Sequence, residues 1–334
     1  MHAIRLHAFG PPENLRHEEL PDPEPGPGQV RVAVAAAGVH LIDTALRTGR
    51  HPGPIPAPEL PTIPGREVAG TVEALGEGVD AGWLGRRVVA HLGMVPGGYA
   101  ELAVVGTERL HPLPDGLRED HAVALVGTGR MTMGILRFAD LSPRDTVLVL
   151  AAAGGIGALL TQYAKHRGSV VIGAAGGAAK TAAVRDLGAD LAVDYDRPGW
   201  DETVREAFGD RPATYLFEGV AGEHARRALR LLAPGGQHLN YGYASAGFDE
   251  TASALPSAAE TAELGVTSRS VLGQALFDRI GGPEKMRVLE DEAMAHGAAG
   301  TLVPLVHHFP LAEAAQAHQA LESRATIGKV VLIP

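Results

Sequence analysis

The sequence contains no cysteine among its 334 residues. Disulfides and thiolate metal sites are therefore excluded, and histidine and carboxylate side chains are the remaining strong metal ligands. Basic side chains are also scarce, since 29 Lys and Arg face 39 Asp and Glu and give a formal net charge of −10. Because that charge repels polyanions and no local basic patch offsets it, we expect no nucleic-acid or anionic membrane partner.

Long hydrophobic runs are missing as well. The longest uncharged stretch, residues 146–164, contains glycines and polar side chains, and it predicts a strand, a turn and the start of a helix. The first twenty residues carry charges throughout and do not resemble a signal peptide. Together with the absence of cysteine, these features predict a cytoplasmic protein without a membrane span.

Two different patterns follow one another along the chain. Up to about residue 118, short apolar runs are separated by Gly and Pro, which predicts a compact β-rich domain. From about residue 119, strand-like runs alternate with helical patterns of about ten residues, which predicts parallel βαβ units until the pattern ends near residue 270. The sequence therefore predicts an α/β protein with two domains.

A glycine-rich stretch, VLAAAGGIGALL (149–160), lies inside the second pattern. It joins the apolar run TVLVLAA (146–152) to helical spacing over 156–167, so the glycines fall at a strand-to-helix turn. Such turns hold the pyrophosphate of a dinucleotide, because small residues admit the ligand and the helix N-terminus offers N–H groups. The candidate contacts are Gly154, Gly155, Ile156 and Gly157.

The match to the GxGxxG pattern is incomplete. It reads Ala152-x-Gly154-x-x-Gly157, so the first glycine is replaced, and a plain tight turn between packed elements stays an alternative. In the dinucleotide interpretation, Gly154 would let the backbone approach the phosphates and Gly157 would let the helix pack on the strand.

The next strand, VVIGAAGG (170–177), bears on the choice of cofactor. NAD-binding proteins place an acid about twenty residues after the glycine turn, where it binds the ribose 2′-hydroxyl. This strand ends in alanine and glycine instead, and the cation Lys180 follows. We therefore expect NADPH, with Gly176, Gly177 and Lys180 near its 2′-phosphate. Alternatively, Lys180 is only a solvated residue in the first turn of a helix.

Taken together, motifs from nearly the whole chain resemble the zinc-free, zeta-crystallin-like quinone oxidoreductase branch of the medium-chain dehydrogenase/reductase superfamily. These motifs are AAGVHLIDTALRTG (36–49), IPGREVAGTVEALGEGV (63–79), GRRVVA (85–90), AAAGGIG (151–157), GGAAK (176–180), VDY (193–195) and LESRATIGKVVLIP (321–334). The resemblance implies a GroES-like catalytic domain built from residues 1–120 and 271–334, a Rossmann NADPH-binding domain over 121–270, and a site in the cleft between them.

The resemblance also implies roles for particular residues. Lys180, Tyr195 and Arg324 would hold the 2′-phosphate, and Tyr241 and Gly242 would lie near the nicotinamide half. The alternatives are ordinary strand packing for the two tyrosines and a solvated helix end for Arg324.

Members of the family usually form homodimers, which we expect here through an edge strand of the Rossmann sheet over residues 265–273.

The segment that the resemblance places in the catalytic cleft departs from both the zinc-dependent and the typical quinone-reducing relatives. Where zinc enzymes carry a Cys and a His ligand, this chain has His40 and Arg66, so we expect no zinc. A typical zinc-free member reads NFIDTY where this chain reads HLIDTA. His40 therefore replaces an Asn, and Ala45 replaces a Tyr that faces the substrate. His40 is either catalytic or structural, and Asp43 either binds ribose or substrate or caps the following helix.

These expectations define an NADPH-dependent, zinc-independent enzyme that passes hydride to a quinone or an α,β-unsaturated carbonyl. Because Ala45 has no hydroxyl, His40 or water would supply the proton, and Arg66 could stabilise the developing oxyanion. An enoyl-thioester reductase is an alternative enzyme. A crystallin-like protein that binds NADPH with little turnover is an alternative of another class.

Overall fold

The computed structural model describes residues 1–50, 58–242 and 255–334. The chain divides into two compact units, of which the first joins Met1–Thr128 to Ala293–Pro334 and the second is the continuous segment Gly129–Glu292. Within the described residues, no helix combines the length and the hydropathy needed to cross a bilayer.

The first unit is rich in strands. They are β1 (His2–Leu6), β2 (Leu15–Glu19), β3 (Gln29–Val39), β4 (Glu67–Leu75), β5 (Arg87–His91), β6 (Leu102–Gly106) and β7 (Leu110–Pro112), followed near the C-terminus by β14 (Val306–Pro310) and β15 (Lys329–Ile333). Its helices are α1 (Leu41–Arg47), α2 (Glu119–Ala124) and α11 (Ala314–Glu322).

The main sheet of this unit has the order β14-β15-β3-β4-β5-β7, with β6 pairing beside β3. Along β3 the side chains of Val30, Val32 and Val34 are buried while those between them are more exposed, which is the period of two expected of a strand with one face on a core. β15 runs antiparallel to β3 and parallel to β14. The two ends of the chain therefore complete a single sheet.

The second unit alternates strands with helices. Its strands are β8 (Thr146–Leu150), β9 (Val170–Ala175), β10 (Leu191–Asp194), β11 (Ala213–Glu218), β12 (Leu232–Asn240) and β13 (Thr267–Ser270). Its helices are α3 (Arg130–Leu136), α4 (Gly155–His166), α5 (Ala178–Asp186), α6 (Trp200–Phe208), α7 (Gly222–Leu229), α8 (Ala258–Leu264) and α9 (Gln274–Ile280), and α10 (Met286–Ala298) contains the second boundary between the units.

The sheet of the second unit has the order β10-β9-β8-β11-β12-β13, and all its pairings are parallel. Counted along the chain this is 3-2-1-4-5-6, the doubly wound Rossmann order, so the predicted α/β fold class is confirmed. The described sheet ends at β13, as expected for the stretch 265–273.

The boundaries between the compact units fall later than the sequence patterns suggested, after Thr128 and after Glu292 instead of near residues 120 and 270. The reason is helix packing in the second unit. A Cβ atom on Gly134 of α3 would lie 2.9 Å from Leu276 of α9 and 3.4 Å from Leu289 of α10. These helices pack against one another, so residues 271–292 join the second unit although the strand-helix pattern has already ended.

Candidate functional site

The glycine turn joins β8 to α4. Gly154 is the N-cap of α4 and has extended backbone. A Cβ atom on Gly157 would lie 2.2 Å from the carbonyl oxygen of Ala151 and 2.9 Å from Cα of Ala152, both backbone atoms that cannot move aside. Only glycine lets the first turn of α4 approach the end of β8 this closely, which confirms the packing role predicted for Gly157.

The turn also has the polarity of an anion site. The first N–H groups of a helix have no acceptor within the helix, and here they belong to Gly155, Ile156 and Gly157. The turn lies where the sheet order reverses, between β8 and β11, which is the ligand-binding point of doubly wound sheets. The arrangement of α4 therefore suits a pyrophosphate at its N-terminus.

A second turn follows β9 at Gly176 and Gly177. Gly177 has φ +85°, and its N–H donates to Asp194 Oδ1 at 2.8 Å. The same oxygen accepts from the N–H of Asp196 at 3.1 Å. A Cβ atom on Gly176 would lie 2.4 Å from Asp196 Oδ2. The second strand indeed ends without an acid, but the third strand brings two carboxylates to the same turn.

Lys180 and Tyr195 flank this turn. Lys180 lies in the first turn of α5 and is half-buried, and Tyr195 follows β10. The Tyr195 ring stacks on His224 with centroids 4.5 Å apart and an interplanar angle of 27°. His224 Nε2 lies 3.7 Å from Asp196 Oδ1. The second unit thus brings Gly176, Gly177 and Tyr195 together with Asp194, Asp196 and His224, and Lys180 lies in the helix turn that follows. Contact of Lys180 and Tyr195 with a 2′-phosphate stays a prediction.

Tyr241 and Gly242 follow β12 near the switch point. The Tyr241 hydroxyl donates to the carbonyl of Leu150 at 3.3 Å, and its ring covers Gly219, where a Cβ atom would lie 2.4 Å from the ring. Burial raises the pKa of this phenol above its ordinary value. The Gly242 carbonyl accepts from Asn240 Nδ2 at 3.0 Å. These contacts match the packing alternative for Tyr241, and they leave a nicotinamide contact as a prediction.

Arg324 belongs to the first unit. It follows α11, is exposed, and has φ +57°. This is the solvated helix end that the sequence offered as the alternative, and its contact with a 2′-phosphate stays a prediction.

In the first unit, His40 contacts a buried ion pair. Lys329 Nζ lies 3.0 Å from Glu67 Oε2 and 2.6 Å from His40 Nε2. The Glu67 side chain is fully buried, that of Lys329 is 4% exposed, and that of His40 is 24% exposed. The imidazole therefore connects this ion pair to the surface of the unit.

The Glu67 carboxylate occupies a slot between two glycines. A Cβ atom added to Gly38 would lie 2.3 Å from Glu67 Oε2, and one added to Gly127 would lie 1.4 Å from Glu67 Oε1. Burial by itself would raise the pKa of this carboxyl, but His40 and Lys329 outweigh it and hold the pKa well below its usual range. Burial lowers the pKa of Lys329, against the attraction of Glu67. Glu67 is therefore ionised, and Lys329 gives up a proton more readily than an exposed lysine does.

Lys329 and Glu67 both contact Nε2 of the His40 ring. Glu67 Oε1 is 2.5 Å from His40 Nε2, yet it accepts no aligned hydrogen bond from any residue in the described part of the chain. Nε2 cannot both accept from Lys329 and carry a proton of its own. Nε2 therefore either accepts from Lys329, with the ring proton on Nδ1, or carries a proton that faces Glu67.

Asp43 lies in the first turn of α1, and helix contacts account for its carboxylate. Oδ2 accepts from the His40 N–H at 2.8 Å and from the Tyr99 hydroxyl at 3.2 Å, and Oδ1 lies 3.6 Å from Arg66 Nη2. The helix-capping alternative matches these contacts, with Asp43 acting from inside the helix. Arg66 keeps its buried Nε without a hydrogen-bond acceptor among the described residues, and Ala45 is buried.

A second buried chain of hydrogen bonds supports Asp43. The Tyr99 hydroxyl lies 3.2 Å from His318 Nε2, and Arg47 Nε donates to His318 Nδ1 at 3.3 Å. Arg47 also donates to the carbonyl of Gly10 and pairs with Glu322. Burial lowers the pKa of His318 to about 4, so this ring is neutral at pH 7. The neutral ring donates to Tyr99, and Tyr99 donates to Asp43.

Sequence reasoning assigned no role to several residues of these clusters. Glu67 and Lys329 lie in the motifs IPGREVAG and GKVVLIP, where a charged residue next to a run of apolar ones was an available signal of a buried pair. Tyr99, His318 and Asp196 gave no comparable signal. Among the residues that the structure describes, no group of three or more His, Asp and Glu side chains is arranged to hold a metal ion.

The second unit has a 3-2-1-4-5-6 parallel sheet with a glycine turn at its switch point, and the first is a β-rich unit made from both ends of the chain. This combination is the architecture of a dinucleotide-binding oxidoreductase. The chain matches the family described as "Alcohol dehydrogenase GroES-like domain" over residues 26–115 and the family described as "Zinc-binding dehydrogenase" over residues 155–291.

Individual relatives agree with these matches. The chain is 34% identical to a quinone oxidoreductase of Pseudomonas aeruginosa, covering 99% of both chains, and 32% identical to a 2-haloacrylate reductase of a Burkholderia species, covering 99% and 98%. The solved Escherichia coli quinone oxidoreductase complexed with NADPH superposes with a TM-score of 0.83 at 28% identity, covering all of both chains. The chain belongs to the quinone oxidoreductase branch of the medium-chain dehydrogenase/reductase superfamily.

Proposed function

We propose that this protein transfers hydride from NADPH to a quinone or an α,β-unsaturated carbonyl without zinc. The observation that carries the proposal is the second unit's glycine turn at the switch point, with Lys180 beside the neighbouring turn of Gly176 and Gly177. The coenzyme supplies the hydride, and the protein supplies orientation and a proton.

The residues present fit a phosphorylated dinucleotide. The first turn of α4 and the close approach at Gly157 suit the pyrophosphate, and Lys180 and Tyr195 would hold the 2′-phosphate. The E. coli relative was solved with NADPH, which supports the same choice here. Arg324 would complete the phosphate contacts, as the family resemblance implies.

His40 is the proposed proton donor. In the tautomer with the ring proton on Nδ1, Nε2 accepts from Lys329, 2.6 Å away. When Nδ1 gives its proton to a substrate oxyanion, Lys329 can replace it at Nε2, so the ring stays neutral and the ammonium becomes an amine. Arg66 would stabilise the oxyanion by its charge. The name of the 2-haloacrylate reductase denotes an alkene conjugated to a carboxylate, which supports activated alkenes as substrates here.

Zinc independence is supported by the chemistry of the same residues. An Arg at position 66 cannot ligate a metal, and His40 Nε2 is occupied by Lys329. We also propose a cytoplasmic homodimer paired through β13, whose residues are mostly exposed at the sheet edge. Light scattering that gives the mass of a monomer at micromolar concentration would contradict the dimer.

The test is consumption of NADPH with 1,4-benzoquinone and with an enone by the parent, His40→Ala and His40→Asn. We expect both variants to slow enone reduction by roughly 100-fold while quinone reduction stays within a few-fold of the parent. Asn is the matched control because it can donate a hydrogen bond but no proton. Parent-like enone rates would assign the proton to water, and binding of NADPH without turnover of either substrate would contradict the enzymatic function.

A further inference from the structure

The geometry points to Asp196 as a residue that weakens the preference for NADPH over NADH. This inference rests on the proposed function, because it concerns the same cofactor site. The sequence showed no acid at the end of the second strand, and the structure supplies one from the third strand.

The position of Asp196 is defined by the turn after β9. In a Rossmann sheet the substituent on the adenosine ribose 2′-carbon lies at the carboxyl end of the second strand, which here is β9. A Cβ atom on Gly176 would lie 2.4 Å from Asp196 Oδ2 and 3.1 Å from the ring of Tyr195. The carboxylate therefore takes the space next to the turn that an ordinary side chain at position 176 would fill.

Backbone hydrogen bonds fix this arrangement. Asp194 Oδ1 accepts from the N–H of Gly177 and from the N–H of Asp196, and so ties the turn after β9 to the turn after β10. The remaining oxygen of Asp194 lies 3.4 Å from Arg197 Nε, which offsets its charge. Asp196 lies 3.7 Å from His224, which carries a charge only when protonated. Of these two carboxylates, Asp194 is paired with an arginine, whereas Asp196 makes an ion-pair contact with a histidine.

The charge of Asp196 acts differently on the two cofactors. A 2′-phosphate is repelled by the carboxylate, whereas the 2′-hydroxyl of NADH can donate a hydrogen bond to it. The Asp196 side chain is 61% exposed, so solvent screens the repulsion. Because the carboxylate is exposed and the repulsion is screened by solvent and salt, we expect an effect of about three- to tenfold on NADPH affinity.

The experiment measures dissociation constants for NADPH and NADH by quenching of protein fluorescence at pH 8, where histidine side chains are ordinarily neutral. Asp196→Asn keeps the shape of the side chain and removes its charge. We expect its affinity for NADPH to rise about three- to tenfold and the gain to shrink in 0.5 M salt, while its affinity for NADH stays equal or falls.

Asp210→Asn is the matched control, since Asp210 is exposed and precedes β11 at the opposite end of the parallel sheet. It should leave both affinities unchanged. An unchanged ratio of NADPH to NADH affinity in Asp196→Asn would overturn the inference and leave the proposed function standing. A parent that binds neither dinucleotide would overturn the proposed function and the inference with it, whereas tight binding without turnover would contradict only the enzymatic function.

Discussion

Lowering the pH from 7.5 to 5 should destabilise the first unit through His318. The imidazole is fully buried, accepts a hydrogen bond from Arg47 at Nδ1 and contacts Tyr99 at Nε2. Its protonation would place an unsolvated charge in the core and turn an N–H toward the Arg47 guanidinium. Burial is the main reason that the pKa falls to about 4.

The sign and size of the effect follow from proton binding. In the unfolded chain a histidine titrates near pH 6.5, so between about pH 6.5 and 4 the unfolded state binds more protons than the folded one. The free energy of unfolding therefore decreases as the pH falls through this range. At ~1.4 kcal/mol per pH unit, the contribution of His318 at pH 5 is a loss of ~2 kcal/mol.

Urea unfolding at pH 7.5 and 5.0 measures this loss. In a Trp200→Phe background, Trp83 is the remaining one of the two tryptophans, and its fluorescence reports on the first unit. The comparison is with His318→Gln, whose amide can accept from Arg47 and donate to Tyr99 without titrating.

The parent should lose ~2 kcal/mol more than His318→Gln between the two pH values. His17→Gln, a change at an exposed histidine of the same unit, should behave like the parent. Equal pH dependence in the parent and His318→Gln would refute the assignment of a neutral, buried His318.

Three further outcomes are expected. Lys180→Ala should weaken NADPH binding by roughly 1.5–3 kcal/mol and leave NADH binding almost unchanged, whereas the control Lys285→Ala should leave both affinities unchanged. Equal losses for both cofactors in Lys180→Ala would contradict a phosphate contact. Lys329→Met should destabilise the first unit by about 3–5 kcal/mol because it leaves the buried Glu67 carboxylate without its cation. Glu67→Gln in the same chain should restore part of that stability, whereas a double variant that loses the sum of the two single losses would show that the pair is not coupled. Activity should survive chelation, and elemental analysis that finds one tightly held zinc per chain would refute zinc independence.

Features that depend on neighbours in sequence could be predicted from the sequence. The strand, turn and helix around Gly157 follow from local periodicity and from the spacing of glycines. Parallel βαβ units follow from the alternation of strands and helices, and the Rossmann domain is implied by the family resemblance. The edge position of β13 follows from its being the last strand of that series.

Features that depend on pairing between distant segments could not be predicted in this way. Lys329 meets Glu67 only because β15 and β4 both pair with β3, and the two residues are 262 positions apart. Asp196 reaches the turn of Gly176 because β10 lies beside β9, whereas the rule for cofactor choice considers only the second strand. The unit boundary after Glu292 likewise depends on packing between α3 and α9.

The division of the first unit between the two ends of the chain sets an order of events during synthesis. The second unit is continuous, so it can fold while the ribosome is still making the rest. The last part of β3, Ala37–Val39, pairs with β15 and therefore exposes open backbone groups until residues 329–333 emerge. Until then Glu67 has no lysine beside it. Completion of this sheet is a late, long-range step, and the nascent chain presents an aggregation-prone strand edge that chaperones would have to shield.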